Sequence, residues 1–361
     1  MLTNLVELNY LNASINSGIP LVKENFVFFE ELGVGAFGKV YKVRSRATNT
    51  EYALKVLSKA QIEGMRLFNQ LQNEIRILAR CNHKNIIKLY SAFEDKDYVY
   101  LLLELAVGGS LYNKLKEQKR FNETTTASYM TDIIKAVSHL HNMTPPIIHR
   151  DLKPENVLLA DGVLKIADFG WSNMGNDIRN TFCGTPEYLS PEMLTGSGHN
   201  EKLDIWTLGV LMYEMLHGKP PFSPTDTKNP RILQREIENN IMQGKVQFDD
   251  NISKEAKEVI NAMLDPIDKC RPFCKSILGY DFFVKHNKTI QTNGKPSNPA
   301  NIPVLSSSST QSKIEDYESQ IKQLNSANRQ LAEVCKQKDQ IIAENILSID
   351  LLKRKLSQTV K

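Results

Sequence analysis

The stretch Ile148-His149-Arg150-Asp151-Leu152-Lys153-Pro154-Glu155-Asn156-Val157-Leu158-Leu159, followed by Lys165-Ile166-Ala167-Asp168-Phe169-Gly170, decides how this chain reads. Asp151 can accept the proton of a hydroxyl group and orient that group for in-line attack. Lys153 stands two residues further on, placed to offset charge on a phosphoryl group in transfer. Asn156 and Asp168 supply hard oxygen ligands of the kind magnesium prefers.

Upstream, Gly33-Val34-Gly35-Ala36-Phe37-Gly38-Lys39-Val40 lies between the strand-like runs Phe26-Val27-Phe28-Phe29 and Val40-Tyr41-Lys42-Val43. Gly33, Gly35 and Gly38 let a backbone approach phosphates. By itself the spacing also fits a dinucleotide-binding turn, but that turn opens a helix, and here a strand follows. Tyr52-Ala53-Leu54-Lys55-Val56 then places a lysine in an apolar strand, where an unpaired ammonium is costly. Nucleotide phosphates and a carboxylate would compensate it. Glu74, on the helix-period run Leu71–Leu78, is the natural carboxylate; a lysine reaching out to the surface is the alternative.

Together these residues resemble the protein kinase family: a G-x-G-x-x-G-x-V loop, a strand lysine, H-R-D-L-x-x-x-N and D-F-G. The resemblance covers residues 23–286 and continues in Cys183-Gly184-Thr185-Pro186-Glu187-Tyr188, Ser190-Pro191-Glu192, Asp204-Ile205-Trp206 and Arg271. It implies an α+β, two-lobed fold with a small, mainly β N-lobe (23–106) and a larger, mainly α C-lobe (107–286). It implies ATP and Mg2+ as cofactors and protein substrates. Asp151, Lys153, Lys55 and Glu74 take the catalytic roles, with Asn156 and Asp168 on the metal. The ATP site is implied at Leu32, Gly33, Gly35, Gly38, Val40, Ala53, Lys55, Leu103, Glu104, Ala106, Glu155, Asn156, Leu158 and Asp168. Within it, Glu104-Leu105-Ala106 is the hinge that hydrogen-bonds adenine, behind Leu103, and Val40, Ala53 and Leu158 sandwich the ring. Glu192 and Arg271 are expected to pair, and Asp204 to support the loop that carries Asp151. Asp-Leu-Lys-Pro-Glu-Asn resembles Ser/Thr rather than Tyr kinases.

Within the family the chain is most similar to Aurora-type kinases, on Trp171-Ser172 after D-F-G, Lys55–Gln61, Arg179–Thr185 and Gly209–Met215. That likeness implies a role in cell division, at spindle, centrosome or chromosome, with a polo-like or other mitotic kinase as the alternative. Thr181 is the expected activating phosphosite, facing Arg150 and Arg179. Glu155 and Glu214 resemble the carboxylate pair that reads arginine two residues before the target; ordinary solvated acids are the other reading. Three positions depart from the Aurora pattern. Asn73 stands where an arginine is usual, so activation through Thr181 is expected to be partial. Ala92 replaces an aromatic of the activator pocket, which puts an Aurora-type activator protein in question. Lys228 to Asn240 reads as extra sequence before the next helix.

Composition agrees with a soluble globular protein: 361 residues, 41% hydrophobic and 24% charged. A net charge of +4 is too small to argue for direct nucleic-acid binding. No run reaches the ~18 apolar residues of a membrane span. The first residues lack the pattern of a secretory signal. Five scattered cysteines suit neither a disulfide framework nor, at Cys270 and Cys274, a complete zinc site. The expected location is cytoplasm or nucleus. Residues 1–22 read as a leader and 287–311, rich in Asn, Ser and Pro, as a flexible linker. Residues 312–357 carry heptads: Ile314, Ile321, Asn328, Cys335, Ile342, Ile349 and Leu356 on one seam, Tyr317, Leu324, Leu331, Lys338, Asn345 and Leu352 on the other. They fit a coiled coil, through a homodimer or a heterotypic helical partner, or else one amphipathic helix folded back on the domain. A pseudokinase scaffold acting through that coiled coil is the rival function; every catalytic position is nevertheless filled.

Overall fold

Chain order follows the change in sequence pattern, strands first and helices after. The computed structural model describes residues 21–35, 38–170, 173–174, 186–198, 200–224 and 230–293. Trp171, Ser172, Arg179, Thr181, Cys183 and the heptads of 312–357 lie outside the described residues.

In the N-lobe, β1 (Phe26–Gly35) pairs antiparallel with β2 (Gly38–Ser45), and β2 with β3 (Glu51–Ser58). Then come α1 (Lys59–Gly64), α2 (Phe68–Arg80), β4 (Leu89–Glu94) and β5 (Tyr98–Leu103). The sheet order is β1-β2-β3-β5-β4. Strand alternation sends neighbouring side chains to opposite faces. Leu54, Tyr100 and Leu102 join Phe26, Val43 and Tyr52 in an outer cluster. Leu57, Val99 and Leu101 face the main core, and Lys55 opposes Leu101 across β3 and β5. Leu21 also packs into the outer cluster, so the expected leader already contributes an apolar anchor at its end. On α2 the buried residues are Leu71, Ile75, Ile77 and Leu78, and the helix turns Glu74 inward with them.

The C-lobe opens with α3 (Leu111–Gln118) and α4 (Glu123–His141), the latter capped by Asn122, whose side chain accepts from the Thr125 N–H at 2.8 Å. Short strands follow: β6 (Ile147–Ile148), β7 (Val157–Ala160), β8 (Val163–Ile166) and β9 (Asn173–Met174), paired β6 with β9 and β7 with β8. The remaining helices are α5 (Pro191–Thr195), α6 (Lys202–His217), α7 (Pro230–Gln243), α8 (Lys254–Met263), α9 (Cys274–Ile277) and α10 (Asp281–Asn293). Helix α6 is buried on nearly every side. At roughly 1.5–3 kcal/mol per large apolar side chain taken from water, its Leu203, Ile205, Trp206, Leu208 and Leu211 make it the axis of the lobe. Gly209 allows α8 to close on it, since a Cβ there would sit 2.8 Å from Leu264.

Two sequence expectations change. Residues 230–240 are not sequence preceding a helix but the body of α7 itself. Likewise α10 runs to Asn293, into the stretch expected as linker from 287. Its start is anchored by buried Phe282 and Phe283, and an anchored first turn lets a helix propagate into polar sequence. A β-rich N-lobe on a helical C-lobe is the α+β architecture expected.

Candidate active site

Lys55 sits in β3 with its ammonium 2.8 Å from Glu74 Oε1 and 3.7 Å from an Asp168 carboxylate oxygen. Burial works against charge on the lysine, but Glu74 and Asp168 outweigh it, and the Lys55 pKa is raised. Lys55 in turn holds the Asp168 carboxyl below the usual range against its own burial. A strand, a helix and the 167–170 segment thus meet at one ammonium. Between them lies a cavity of about 150 Å³, walled by Gly35, Gly38, Val40, Lys55, Glu74 and Asp168.

The two ends of the glycine loop answer to different causes. A Cβ at Gly33 would meet nothing within 4 Å, and one at Gly35 only the Gly38 carbonyl at 3.7 Å. At Gly38 a Cβ would fall 1.9 Å from the Val56 carbonyl oxygen. Backbone packing of β2 on β3 therefore demands that glycine whether or not a ligand is present.

On the C-lobe side the loop between β6 and β7 carries Asp151, Lys153 and Asn156. The Asn156 side-chain amide donates to both the Asp151 carbonyl and its Oδ2, each at 2.8 Å. Lys153 reaches the same Oδ2 at 3.0 Å. Fixing this loop is Asp204, fully buried in the first turn of α6. It accepts from the backbone N–H of His149 at 2.9 Å and of Arg150 at 2.8 Å, while His141 Nε2 lies 2.8 Å away. Burial would push Asp204 up; the His141 hydrogen bond and its neighbours hold it below its ordinary value. Such a clamp is needed because Arg150 adopts φ 72°, a left-handed conformation long side chains avoid. Asp168 also has a positive φ, 61°. His149 donates from Nε2 to the Ala167 carbonyl at 3.2 Å and stacks edge-on against buried Phe169, tying the two loops together.

The donors suit a hard divalent cation. The Asp168 carboxylate is half exposed and lines the cavity, and Asn156 commits its NH2 to Asp151, so its side-chain oxygen is the atom with which it could ligate. Among the described residues no cluster of three His, Cys, Asp or Glu side chains forms a self-sufficient metal cage. Two oxygen ligands completed by substrate phosphates is how magnesium is usually held. Of the expected hinge residues, Glu104 donates its N–H to the Lys88 carbonyl at 2.9 Å, which fixes the backbone at the end of β5. Ala53 and Leu103 are cross-strand partners, Val40 opposes Lys55, and Leu158 lies in β7 beneath. Leu32, on β1, is exposed.

Away from this centre, Glu192 and Arg271 form a bidentate pair at 2.7 and 2.8 Å. Glu214 is mostly buried and accepts a hydrogen bond from the Tyr188 hydroxyl. Burial pushes its carboxyl up to about 7, with Glu155 and Glu187 adding to the effect. Sequence assigns no role to Glu187, Tyr188 or His141; the first two lie inside the Cys183–Tyr188 motif, and His141 carries no local signal.

Fold and site define a phosphotransferase of the protein kinase class, and the protein kinase domain model matches residues 26–283. Aurora kinase A-B of Xenopus laevis is 40% identical over 275 residues, 76% of this chain and 65% of that protein. Aurora/IPL1-related protein kinase 2 of Caenorhabditis elegans is 41% identical over 271 residues, 74% of this chain and 86% of that protein. Aurora kinase B of Mus musculus is 41% identical over 248 residues, 68% of this chain and 69% of that protein. The chain belongs to the protein kinase family, among its Aurora-type Ser/Thr kinases. Membership brings ATP as the phosphoryl donor.

Proposed function

We propose that this chain transfers the γ-phosphoryl group of ATP to serine or threonine hydroxyls of proteins. The observation that carries the reading is that Lys55, Glu74 and Asp168 form one cluster and Asp151, Lys153 and Asn156 another. The two are joined where the Ala167 N–H donates to the Asn156 main-chain carbonyl at 2.8 Å and where the Lys153 charge helps hold the Asp168 carboxyl down. Adenine lies between Leu32, Val40, Ala53 and Leu158, beside Leu103, and bonds the Glu104 carbonyl and the Ala106 N–H. Glu74 holds Lys55 on the nucleotide phosphates. Asp151 orients the substrate hydroxyl and takes its proton, while Lys153 offsets charge on the phosphoryl group. Mg2+, held by Asn156 and Asp168, would neutralise phosphate charge.

Glu155 and Glu214 select arginine near the target, and phosphate on Thr181, met by Arg150 and Arg179, raises activity. Pairing of the 312–357 heptads, in a homodimer or with another helical protein, would raise the effective concentration for Thr181 phosphorylation between copies. The role is in cell division, at spindle, centrosome or chromosome. Ala92, buried in β4, argues for an activator contact different from one that inserts beside an aromatic.

The test is Asp151→Asn in the full chain, with a serine peptide and ATP. Transfer falls by about 10²–10⁴-fold while nucleotide binding persists. Undiminished transfer would refute the assignment.

A further inference from the structure

Lys202 opens α6, and none of the steps above uses it. It is 6% exposed, and its ammonium donates to the Arg271 carbonyl at 2.6 Å. The same nitrogen lies 3.6 Å from the centroid of the Phe273 ring. Burying an ammonium is costly, and here the acceptor is a backbone carbonyl rather than a carboxylate. Burial accordingly lowers the Lys202 pKa, with Glu201 and Asp268 opposing. What this arrangement secures is a position of the chain.

The contact is reciprocal. Arg271 Nη1 donates to the Lys202 carbonyl at 3.0 Å while it binds Glu192. One turn along α6, the Trp206 ring lies 5.0 Å from the same guanidinium. The first turn of α6 is therefore fixed on one side by Arg271, and through it by Glu192 in α5. On its other side, two residues past Lys202, Asp204 holds the backbone of His149 and Arg150. A shift of this turn moves the clamp under Asp151.

We propose that Lys202 is a positioning residue for phosphoryl transfer: by tying the Arg271 main chain to the first turn of α6, it sets the register in which Asp204 presents Asp151. The proposal rests on the reading of Asp151 as proton acceptor. A lysine that only stabilises the lobe would lower thermal resistance and leave turnover of the folded enzyme alone, so the two roles separate.

The experiment measures kcat, the KM for ATP and the melting temperature of full-length Lys202→Met on a serine peptide, at a temperature where all variants are folded. A small displacement remote from the chemistry predicts a kcat loss of about ten- to a hundredfold with the KM for ATP within about twofold. In Lys202→Met/Asp204→Asn the two losses should overlap rather than multiply. Wild-type kcat with a lowered melting temperature overturns the proposal, and so do multiplicative losses. If Lys202→Met does not fold, Phe273→Leu serves instead, since that ring is 57% exposed and can be removed without opening the core. It should lower kcat by about threefold with the KM for ATP unchanged, and an unchanged kcat overturns the proposal. Asp151→Asn in the same assay tests the underlying reading separately: if it retains turnover, that reading fails whatever Lys202→Met does.

Discussion

Two ion pairs organise this molecule, and they are built differently. Arg271 and Glu192 meet through two parallel hydrogen bonds, and the guanidinium also reaches the Asp265 and Lys202 carbonyls. Arg271 is 1% exposed, and its donors are committed within the lobe. Lys55 and Glu74 meet through a single contact on the wall of a cavity, with a second carboxylate 3.7 Å away. A guanidinium offers a fixed, planar fork, whereas an ammonium is a compact charge with three rotatable donors. The first pair suits a permanent joint between helices. The second suits a site that exchanges one anion for another, so the cation chosen matches the task of each place.

That contrast can be broken most directly at the cations. Lys55→Met should lower kcat/KM by about 10²–10³-fold. Its melting temperature should move by less than about 4 °C, because Glu74, left without its partner, can take up a proton. Arg271→Leu should do the opposite kind of damage. It strands a buried carboxylate, a change that costs about 3–5 kcal/mol, or about 10 °C of melting temperature in a domain of this size. Thermal melts beside nucleotide-binding and turnover assays check both. A Lys55→Met protein as unstable as Arg271→Leu would show that the pairs are equivalent after all.

The same contrast explains what sequence could and could not supply. Lys55 announced itself as a charge in an apolar strand, and Glu74 as the acid on the buried face of a helix-period run. Both signals are local. The order of strands before helices was legible in the same way, whereas the two-lobed α+β fold followed from the resemblance to protein kinases. Lys202 gave no such signal, because the carbonyl it binds belongs to a residue 69 positions away. Gly38 gave only half of its reason: it reads as a phosphate-cradling glycine and lines the cavity, and the carbonyl of Val56 separately forbids a side chain there. Composition misjudged residues 287–293 for a related reason, since the anchor of α10 lies in Phe282 and Phe283, upstream of the polar stretch.

Regulation by phosphate tests a further form of exchangeable charge. Thr181→Ala should reduce turnover by roughly tenfold, the scale of one charge-assisted contact, and well short of the Lys55→Met loss. The effect should be limited if Asn73, which carries no charge, stands where an Aurora-type arginine is expected. Turnover equal to wild type would remove Thr181 from the mechanism, and complete inactivation would remove Asn73 as the cause of partial activation.

Glu214 is the smallest and sharpest case, a buried carboxylate surrounded by acids instead of a cation. Burial raises its pKa from an ordinary 4.5 to about 7, with Glu155 and Glu187 contributing. Between those values the unfolded chain has released its proton and the folded chain has kept it. Folding therefore loses stability from Glu214 as pH rises through this window, and no such loss exists below it. Glu214→Gln should accordingly melt about 2–4 °C higher than wild type at about pH 8, with no difference at about pH 4. If arginine of a substrate is the missing cation, that gain comes with a loss of selectivity. Wild type should prefer an arginine peptide over its alanine counterpart several-fold more strongly at about pH 8 than at about pH 6, while Glu214→Gln shows a weak preference at both. A preference that ignores pH in wild type would leave Glu214 a buried acid hydrogen-bonded to Tyr188 and nothing more. A preference that follows the Glu214 proton would place it beside Lys55, as a charge held for a partner that arrives with the substrate.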